Sequence, residues 1–280
     1  MNALRSEIRA ESAAIGLRAV EALHAELRLH PKPGLVSPVD SGAHDDMDEA
    51  TFQRSIEALR DYFPAIAEAG AQGASFEVLQ TLGISAERAM LAATGGINTH
   101  RGAIFCLGFL AAAAGVAQAR AQSLNSQNLT RIVLGRWGAD IAKAGAKAGD
   151  SHGARVVRLY GVRGAREELL AGLPTLNAIA LPALKSALAA RPSAENAQVQ
   201  CLFAIMADLQ DTNLLHRGGW EGLEFVQRAA RRFLAAGGVF NPDWRRRALD
   251  LHGDCIALHL SPGGAADSLA ASIFLHGLDP

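Results

Sequence analysis

Two segments of this 280-residue chain concentrate polar side chains that could bind a metal ion and phosphates. Residues 30–48 contain carboxylates, two histidines and a lysine between two prolines, and residues 94–105 combine a Gly-Gly pair with Asn, Thr, His and Arg. Carboxylate oxygens are ligands that Mg²⁺ prefers, and free backbone N–H groups at the start of a helix attract anions. The two segments therefore predict a site for a metal ion and a polyphosphate.

The first segment and the helix before it supply carboxylates, a lysine and a histidine as candidate site residues. These are Glu26, Lys32, Asp40, His44, Asp45, Asp46 and Asp48. Lys32 lies between Pro31 and Pro33, and because proline fixes φ, the path of the lysine side chain is restricted. We expect Lys32 to contact phosphate. Asp46 or Asp48 could instead cap the helix that follows, since aspartate is a preferred N-cap residue.

The second segment also has the composition of a turn between two helices. Gly95 is suited to end one helix, and Asn98 or Thr99 to begin the next. This structural role does not exclude binding, because the positive end of a helix dipole attracts anions and His100 and Arg101 add side-chain donors. The spacing matches neither the P-loop, Gly-x4-Gly-Lys-Ser/Thr, nor the dinucleotide fingerprint, Gly-x-Gly-x2-Gly.

Two acidic residues nearer the C-terminus are candidate metal ligands. A helical pattern over residues 196–215 would place Asp211 near a helix C-terminus, where its charge opposes the helix dipole unless a cation compensates it. Asp267 lies among alanines and a leucine, where a carboxylate is costly unless it is paired or binds metal. Ser261, directly before Pro262, has the expected order for the N-cap of the last helix.

Composition argues against several classes of protein. Lys and Arg total 27 and Asp and Glu 28, giving a formal charge of −1 and no general attraction for nucleic acid or anionic lipid. The cysteines, Cys106, Cys201 and Cys255, fit neither a disulfide framework nor a four-cysteine zinc site, and we expect free thiols in the cytoplasm. Charges within residues 1–17 leave no apolar signal-peptide stretch. The apolar run 102–117 is short for a membrane span and predicts a buried central helix.

Apolar residues recur at helical spacing along most of the chain, which predicts an all-α fold. The predicted helices cover residues 11–29, 48–69, 76–93, 102–122, 129–147, 166–171, 177–190, 196–215, 222–236, 242–259 and 265–276. Residues 155–162 resemble a strand, but one strand cannot form a sheet. Because no long low-complexity linker divides the chain, we predict a single compact multi-helix domain over residues 1–280.

Six short motifs follow one another along the chain. They are His30-Pro-Lys-Pro-Gly-Leu-Val36, Gly42-Ala-His-x-Asp-Met47, Thr94-Gly-Gly-x-Asn-Thr-His100, Gly164-Ala-Arg-x-Glu168, Asp211-Thr-Asn213 and Ser261-Pro-Gly-Gly-x-Ala-Asp267. In composition and order they resemble the motifs of the triphosphoribosyl-dephospho-coenzyme A synthase family. The resemblance extends from about Glu26 to the C-terminus. Three residues depart from it: Ser37, Arg101 and Glu167 stand where an acid, a lysine and a glycine are usual.

The resemblance implies an all-helical transferase that joins the triphosphoribosyl group of ATP to dephospho-coenzyme A and releases adenine. The expected chemistry is one inverting displacement at the anomeric carbon, through a transition state that resembles an oxocarbenium ion. Mg²⁺ would accompany ATP. The product would be the precursor of a prosthetic group that a separate transferase attaches to an acyl carrier subunit, and we favour malonate decarboxylase over citrate lyase as its destination.

The resemblance also implies roles for individual residues. The metal ligands would be Asp211 and Asp267. The catalytic candidates are Glu26, Asp40, His44, Asp46 and His100. The carboxylates are alternatives for the base that acts on the acceptor hydroxyl, and the histidines are alternatives for the acid that protonates adenine. The nucleotide-binding residues would be Lys32, Gly95, Gly96, Asn98, Thr99, Arg101, Arg166, Glu168, Asn213, Arg217, Ser261, Gly263 and Gly264.

Two other functions are open alternatives. A magnesium-dependent all-helical hydrolase would cleave an N-glycosidic bond with water and would need no pocket for dephospho-coenzyme A. A nucleotide-binding adaptor without catalysis would not need Glu26, Asp40 and Asp46 as well as Asp211 and Asp267. The favoured interpretation predicts ATP and dephospho-coenzyme A as partners, no nucleic acid, no membrane and a cytoplasmic location, and it is compatible with a homo-oligomer.

Overall fold

The computed structural model describes residues 2–146, 152–190 and 193–279, and within these ranges it contains helices and no β-strand. The α-helices are α1 (Asn2–Arg28), α2 (Glu49–Ala58), α3 (Tyr62–Ala71), α4 (Phe76–Ala93), α5 (Arg101–Ala119), α6 (Ser126–Ala146), α7 (His152–Tyr160), α8 (Ala165–Leu170), α9 (Leu181–Ala189), α10 (Ala194–Asp208), α11 (Thr212–Ala235), α12 (Trp244–Ala257) and α13 (Gly263–Leu278). A π-helical turn, Thr175–Ala180, precedes α9, and a 3-10 turn, Gly238–Phe240, precedes α12. The all-α prediction is confirmed.

Helix α5 forms the centre of the core. Its alanines and glycines are nearly all buried, and α1, α3, α4, α6 and α13 pack around it. Helix α3 approaches α5 so closely that two glycines have no space for a side chain. A Cβ added at Gly70 would overlap the carbonyl oxygen of Ala112, and a Cβ added at Gly115 would overlap the carbonyl oxygen of Ala67. Only glycine allows two helix backbones to come this near. The small residues of α5 therefore determine how tightly the central layer packs.

Among the described helices, α5 alone is long and apolar enough to cross a membrane. Of its most apolar window, however, 72% is buried inside the protein. A helix that is hydrophobic on all sides is expected in the interior of a large domain. The prediction of a buried central helix over residues 102–117 is confirmed.

Two segments predicted as single helices are divided in the structure. Residues 48–69 form α2 and α3, and residues 196–215 form α10 and the start of α11. Asp48 caps α2, accepting a hydrogen bond from the backbone N–H of Thr51 at 2.8 Å, as one of the predicted alternatives had it. Asp211 is the N-cap of α11. The argument that placed Asp211 near a helix C-terminus was therefore wrong, because the break between α10 and α11 comes before it.

The strand-like segment 155–162 lies mostly in helix α7. Val156 is buried whereas Leu159 is 75% exposed, as on an amphipathic helix, and α7 packs against α11. Branched and aromatic residues favour strands only weakly, and tertiary packing overrides that preference. The strand prediction is wrong. The predicted end of the helix over residues 129–147 lies outside the described residues.

Candidate functional site

A cavity of about 1380 Å³ lies where helices α5, α11 and α13 begin. Pockets for single small molecules have volumes of roughly 300 to 1,000 Å³, so this cavity has room for more than one. Most site residues predicted from the sequence line the cavity, and the exceptions are Asp40, Asp45, Asp48 and Gly95. The structure thus brings together residues that are separated by up to about 240 positions in the chain.

Asp211 joins the N-termini of two helices. Its Oδ1 accepts hydrogen bonds from the backbone N–H groups of Asn213, at 2.8 Å, and Leu214, at 3.4 Å, in α11. Its Oδ2 accepts from the backbone N–H of Ala265 in α13 at 2.9 Å. Burial raises the pKa of Asp211 to about 6, although these hydrogen bonds lower it. A single carboxylate therefore satisfies backbone donors that both helices would otherwise leave unpaired.

Asp267 plays the corresponding part for α5. It lies in α13 and accepts a hydrogen bond from the backbone N–H of Ala103 in the first turn of α5. Gly102 lies so close that an added Cβ would overlap Oδ2 of Asp267. Burial, and then the charges of Glu26 and Asp211, raise the pKa of Asp267 well above its usual range. The start of α5 therefore depends on a carboxylate from the last helix and on a glycine that leaves space for it.

Lys32 and Glu26 form a buried ion pair on the cavity wall. The Nζ of Lys32 donates to Oε1 of Glu26 at 2.7 Å and to the main-chain carbonyl oxygen of Glu26 at 2.7 Å. Lys32 is only 1% exposed, and its burial lowers its pKa while Glu26 opposes that effect. The lysine thus has a counter-ion within the protein. Its assignment to a phosphate stays a prediction.

The buried carboxylates of the cavity outnumber their partners. Glu26 is paired with Lys32, whereas Asp211 and Asp267 have no ion-pair partner among the described residues. In the described ranges no group of three or more His, Cys, Asp or Glu side chains is arranged to hold a metal ion. Mg²⁺ usually takes only one or two protein carboxylates when phosphates and waters supply the rest. The two aspartates therefore fit Mg²⁺ that arrives with a polyphosphate.

His44 lies between a serine, an arginine and an acid. Its Nε2 is 2.8 Å from Oγ of Ser261, and its Nδ1 is 3.0 Å from Nη2 of Arg217 and 3.5 Å from Oδ1 of Asp46. Because the guanidinium is always a donor, Nδ1 accepts and Nε2 carries the hydrogen in neutral His44. Burial and Arg217 lower the pKa of His44, while Asp46 raises it. The N-cap of α13 is Pro262, so the predicted capping role of Ser261 is wrong.

His100 is buried, and its hydrogen-bond partners fix the position of its proton. Its Nδ1 lies 2.7 Å from Oγ of Ser55, which also accepts a hydrogen bond from Oγ1 of Thr99 at 2.7 Å. The Ser55 hydroxyl therefore has its own hydrogen left for Nδ1, and His100 carries its proton on Nε2. That Nε2 has no partner among the described residues. Burial lowers the pKa of His100 to about 3, so the ring is a neutral donor at the cavity.

The loop between α4 and α5 has the predicted turn chemistry with one change. Thr94 ends α4, and Gly95 follows it in the left-handed region with φ of 69°. Asn98 accepts a hydrogen bond from the backbone N–H of Arg101 at 3.1 Å, although the N-cap residue of α5 is His100. Arg101 itself forms an ion pair with Glu87 of α4. Its predicted contact with phosphate is compatible with this pair, because half-exposed arginines retain free donors.

Helix α8 brings two further predicted residues, Arg166 and Glu168, to the cavity. Glu167 caps this helix by accepting from the backbone N–H of Gly164 at 2.9 Å. Glu168 lies 3.7 Å from Arg163. The glutamate that departs from the family pattern at position 167 therefore has a structural role at the start of α8.

Asp40 does not line the cavity. Its carboxylate contacts Nε2 of His252 in α12 at 3.0 Å. The Nδ1 of His252 accepts from the backbone N–H of Gly34 at 3.2 Å and lies 3.1 Å from the carbonyl oxygen of Lys32. Asp40 and His252 therefore fasten the loop that carries Lys32 to α12. The structure does not bring Asp40 to the reacting groups, and it leaves Glu26 and Asp46 as the candidate bases.

Much of the cavity wall was missed by sequence reasoning. The unpredicted lining residues include Phe76, Leu79, Gln80, Ile84, Glu87, Phe105, Phe109, Arg158, Arg163 and His216. A signal was present in α4, where the lining positions fall at intervals of three and four residues and so share one face of the helix. Periodicity alone could not show that this face borders a cavity rather than the core.

The described helices and the cavity where α5, α11 and α13 begin define an all-helical protein whose site is suited to polyanionic small molecules. A protein-family model described as ATP:dephospho-CoA triphosphoribosyl transferase matches residues 12–280. The chain belongs to this family and is a transferase, so the resemblance drawn from its motifs is confirmed.

Curated relatives support the same assignment. A protein of Acinetobacter calcoaceticus named probable 2-(5''-triphosphoribosyl)-3'-dephosphocoenzyme-A synthase is 40% identical over 261 residues, covering 93% of this chain and 89% of the relative. One of the same name from Stutzerimonas stutzeri is 43% identical, covering 94% and 90%. A protein of Pectobacterium atrosepticum named 2-(5''-triphosphoribosyl)-3'-dephosphocoenzyme-A synthase is 40% identical, covering 94% and 88%. No solved structure matches the chain.

Proposed function

We propose that this protein transfers the triphosphoribosyl group of ATP to a hydroxyl group of dephospho-coenzyme A and releases adenine. The observation that carries the proposal is the convergence of three helix N-termini, those of α5, α11 and α13, on one cavity. Such ends bind phosphates through backbone N–H groups and dipoles. Family membership and the names of the relatives supply the reaction, and the volume of the cavity is sufficient for two nucleotides.

The reaction exchanges one bond at the anomeric carbon of the ATP ribose. The bond from this carbon to the adenine nitrogen breaks, and a bond to the acceptor oxygen forms. The acceptor hydroxyl loses a proton and adenine gains one. Because no phosphorus–oxygen bond breaks, the triphosphate remains intact. Positive charge develops on the ribose in the transition state, and buried carboxylates stabilise it. The protein must therefore supply an anion site, a base and an acid.

The anion site consists of the starts of the three helices together with nearby cations. Asp211 and Asp267 would hold Mg²⁺, which when bound neutralises charge on the triphosphate. Arg101 and Arg217 line the cavity and would add positive charge beside the phosphates. Because Lys32 already pairs with Glu26, we assign its charge first to keeping that carboxylate in place.

Glu26 and His44 are the base and the acid that the geometry favours. Glu26 is buried on the cavity wall, whereas Asp46 is largely exposed and Asp40 lies elsewhere. His44 has an acid, Asp46, beside it that favours the protonated ring. His100 keeps one proton on Nε2 and stays neutral, so it would donate a hydrogen bond to the substrate without acting as the acid.

The fate of the product is part of the proposal. The precursor would be attached by a separate transferase to the acyl carrier subunit of malonate decarboxylase rather than citrate lyase, in the cytoplasm, where ATP and dephospho-coenzyme A are available. Family membership supports the triphosphoribosyl product, and the choice of malonate decarboxylase as its destination is our own expectation. Offering the product to both carrier subunits with a transferase would test it, and exclusive modification of the citrate lyase carrier would contradict it.

The central experiment incubates the protein with ATP, Mg²⁺ and dephospho-coenzyme A and identifies products by mass. We expect adenine and triphosphoribosyl-dephospho-coenzyme A in equal amounts. Stoichiometric ADP would contradict the proposal, because it would show transfer of a phosphoryl group. Equally fast adenine release without dephospho-coenzyme A would identify a hydrolase, and binding of ATP without any adenine release would identify an adaptor.

A further inference from the structure

Residues of helices α4 and α5 form one part of the cavity wall, which we call the arm. An ion pair joins Glu87 and Arg101 at one end of this arm. At the other end the rings of Phe76 and Phe109 lie parallel, with centroids 6.3 Å apart. These two contacts show that α4 runs antiparallel to α5. At 1.5 Å per residue, the stretch of α4 between them is roughly 16 Å long.

The arm is apolar along most of this length. Its wall consists of Phe76, Leu79, Gln80, Gly83, Ile84, Phe105, Phe109 and Ile141. Phe105 and Phe109 contact each other edge to face, with centroids 5.2 Å apart. Gln80 is the one side chain among these eight with an amide that can both donate and accept hydrogen bonds. Such a surface suits an uncharged chain with apolar segments and few polar groups.

Ile84 gives a second indication that this surface binds a ligand. It is 45% exposed although it lines a cavity, and large apolar side chains left accessible in a concave site often mark a binding surface. The polar end of the arm lies beside Arg101, at the start of α5, where phosphates are expected. A ligand that fills the arm therefore has a phosphate group at one end and an uncharged chain at the other.

We propose that the arm between α4 and α5 binds the pantetheine chain of dephospho-coenzyme A. This inference rests on the proposed function, which supplies dephospho-coenzyme A as the acceptor. Its pantetheine chain has about twelve bonds, comparable to roughly four residues of extended peptide, and so spans roughly 13 to 14 Å. That length fits the arm. The pantetheine chain contains two amide groups, and either of them can form a hydrogen bond with the side-chain amide of Gln80. ATP has no comparable uncharged chain.

The test compares Ile84→Asn with the control Val78→Asn. Both residues lie on α4 and are equally accessible, 45% and 46% exposed, but Val78 does not line the cavity. Calorimetry is used to measure the affinity for dephospho-coenzyme A and, separately, for ATP. We expect Ile84→Asn to weaken binding of dephospho-coenzyme A about tenfold and to leave ATP binding within about twofold, because a polar group then enters an apolar site. Val78→Asn should change neither affinity.

Displacement by 4'-phosphopantetheine gives an independent readout. It should compete with dephospho-coenzyme A for the wild type and for Val78→Asn, and at least about tenfold more weakly for Ile84→Asn. The proposal is overturned if ATP affinity falls instead, or if Ile84→Asn changes neither affinity. Equal melting temperatures of the two variants show that both are folded. If the wild-type protein shows this competition but releases no adenine, the proposed reaction is wrong and the proposed binding of pantetheine in the arm still holds.

Discussion

Individual residues of the site carry charges that are buried and therefore depend on one another. Glu26 and Lys32 are almost inaccessible, and each is the other's direct partner. Removing one member of a buried ion pair leaves an uncompensated charge, which costs more than the pair contributes in net stability. The pair thus couples the stability of the protein to the geometry of a candidate base.

Lys32→Met tests this coupling. We expect a loss of about 3 to 5 kcal/mol in the free energy of unfolding, because Glu26 is left buried without a counter-ion. Adding Glu26→Gln to Lys32→Met should recover part of that stability without restoring adenine release. Chemical denaturation and the product assay measure the two effects. A single variant that keeps its stability and loses only ATP affinity would show that Lys32 serves the triphosphate directly.

His44 and Asp46 give a pH dependence whose direction is set by the structure. The pKa of His44 is lowered from 6.5, mainly by burial and by Arg217. If His44 is the acid, kcat/KM for ATP should fall as pH rises through that lowered pKa, so the declining limb lies below pH 6.5. Because Asp46 raises the pKa, Asp46→Asn should move the limb to lower pH. Bound triphosphate favours the imidazolium, so the limb in kcat should lie higher than in kcat/KM.

The profiles of the wild type, Asp46→Asn and His44→Gln decide this assignment. His44→Gln should abolish the limb and reduce turnover, since glutamine cannot donate a proton to adenine. An unchanged limb in Asp46→Asn would exclude His44 as the titrating group.

Between elements, close backbone contact is as important as side-chain packing. Gly70 and Gly115 let α3 and α5 touch through their main chains. Helix α5 begins at the cavity and packs against α13. A change in the position of α5 would therefore move residues that line the cavity. The glycines therefore link core packing to the placement of the α5 N-terminus.

Gly115→Ala should destabilise the protein by about 1 to 3 kcal/mol, since the new methyl group overlaps the Ala67 carbonyl oxygen and forces the helices apart. The matched control is Gly135→Ala in α6, where nothing lies within 4 Å of the added Cβ. There we expect a gain of about 0.5 to 1 kcal/mol from helix propensity. Thermal or urea unfolding measures both. Equal effects at the two positions would contradict the close contact of α3 with α5.

Asp211 provides a second link between elements, because it caps α11 and α13 together. Asp211→Ala removes both caps and should cost about 2 to 4 kcal/mol, whereas Ser193→Ala, which removes the single cap of α10, should cost about 1 kcal/mol. Asp211→Asn keeps one acceptor oxygen and should lie between them. We also expect Asp211→Asn to lower turnover at least about a hundredfold. Near-normal turnover would argue against the metal role.

Across the whole molecule, the sequence predicted the helical fold and a part of the cavity lining, and its errors arose where contacts between distant segments determine the structure. Periodicity identified α4 and α5 because their apolar residues are regularly spaced. It misplaced Asp211, because the helical pattern over residues 196–215 was interpreted as continuous although aspartate is a preferred N-cap residue. Sequence periodicity also did not identify Ile84 and Phe105 as lining residues, because the cavity forms only where several helices pack together. The single-domain boundary stays a prediction, as do the roles of individual site residues.

Asp267, which caps the first turn of α5, lies in the last helix of the chain and is synthesised much later than α5. During synthesis α5 leaves the ribosome long before α13, so its first turn lacks the carboxylate that completes it. Contacts between such distant segments form late, because closing a long loop costs entropy before the contact is made. We therefore expect the cavity to be completed late in folding, and a nascent chain without α13 should be unable to retain ATP.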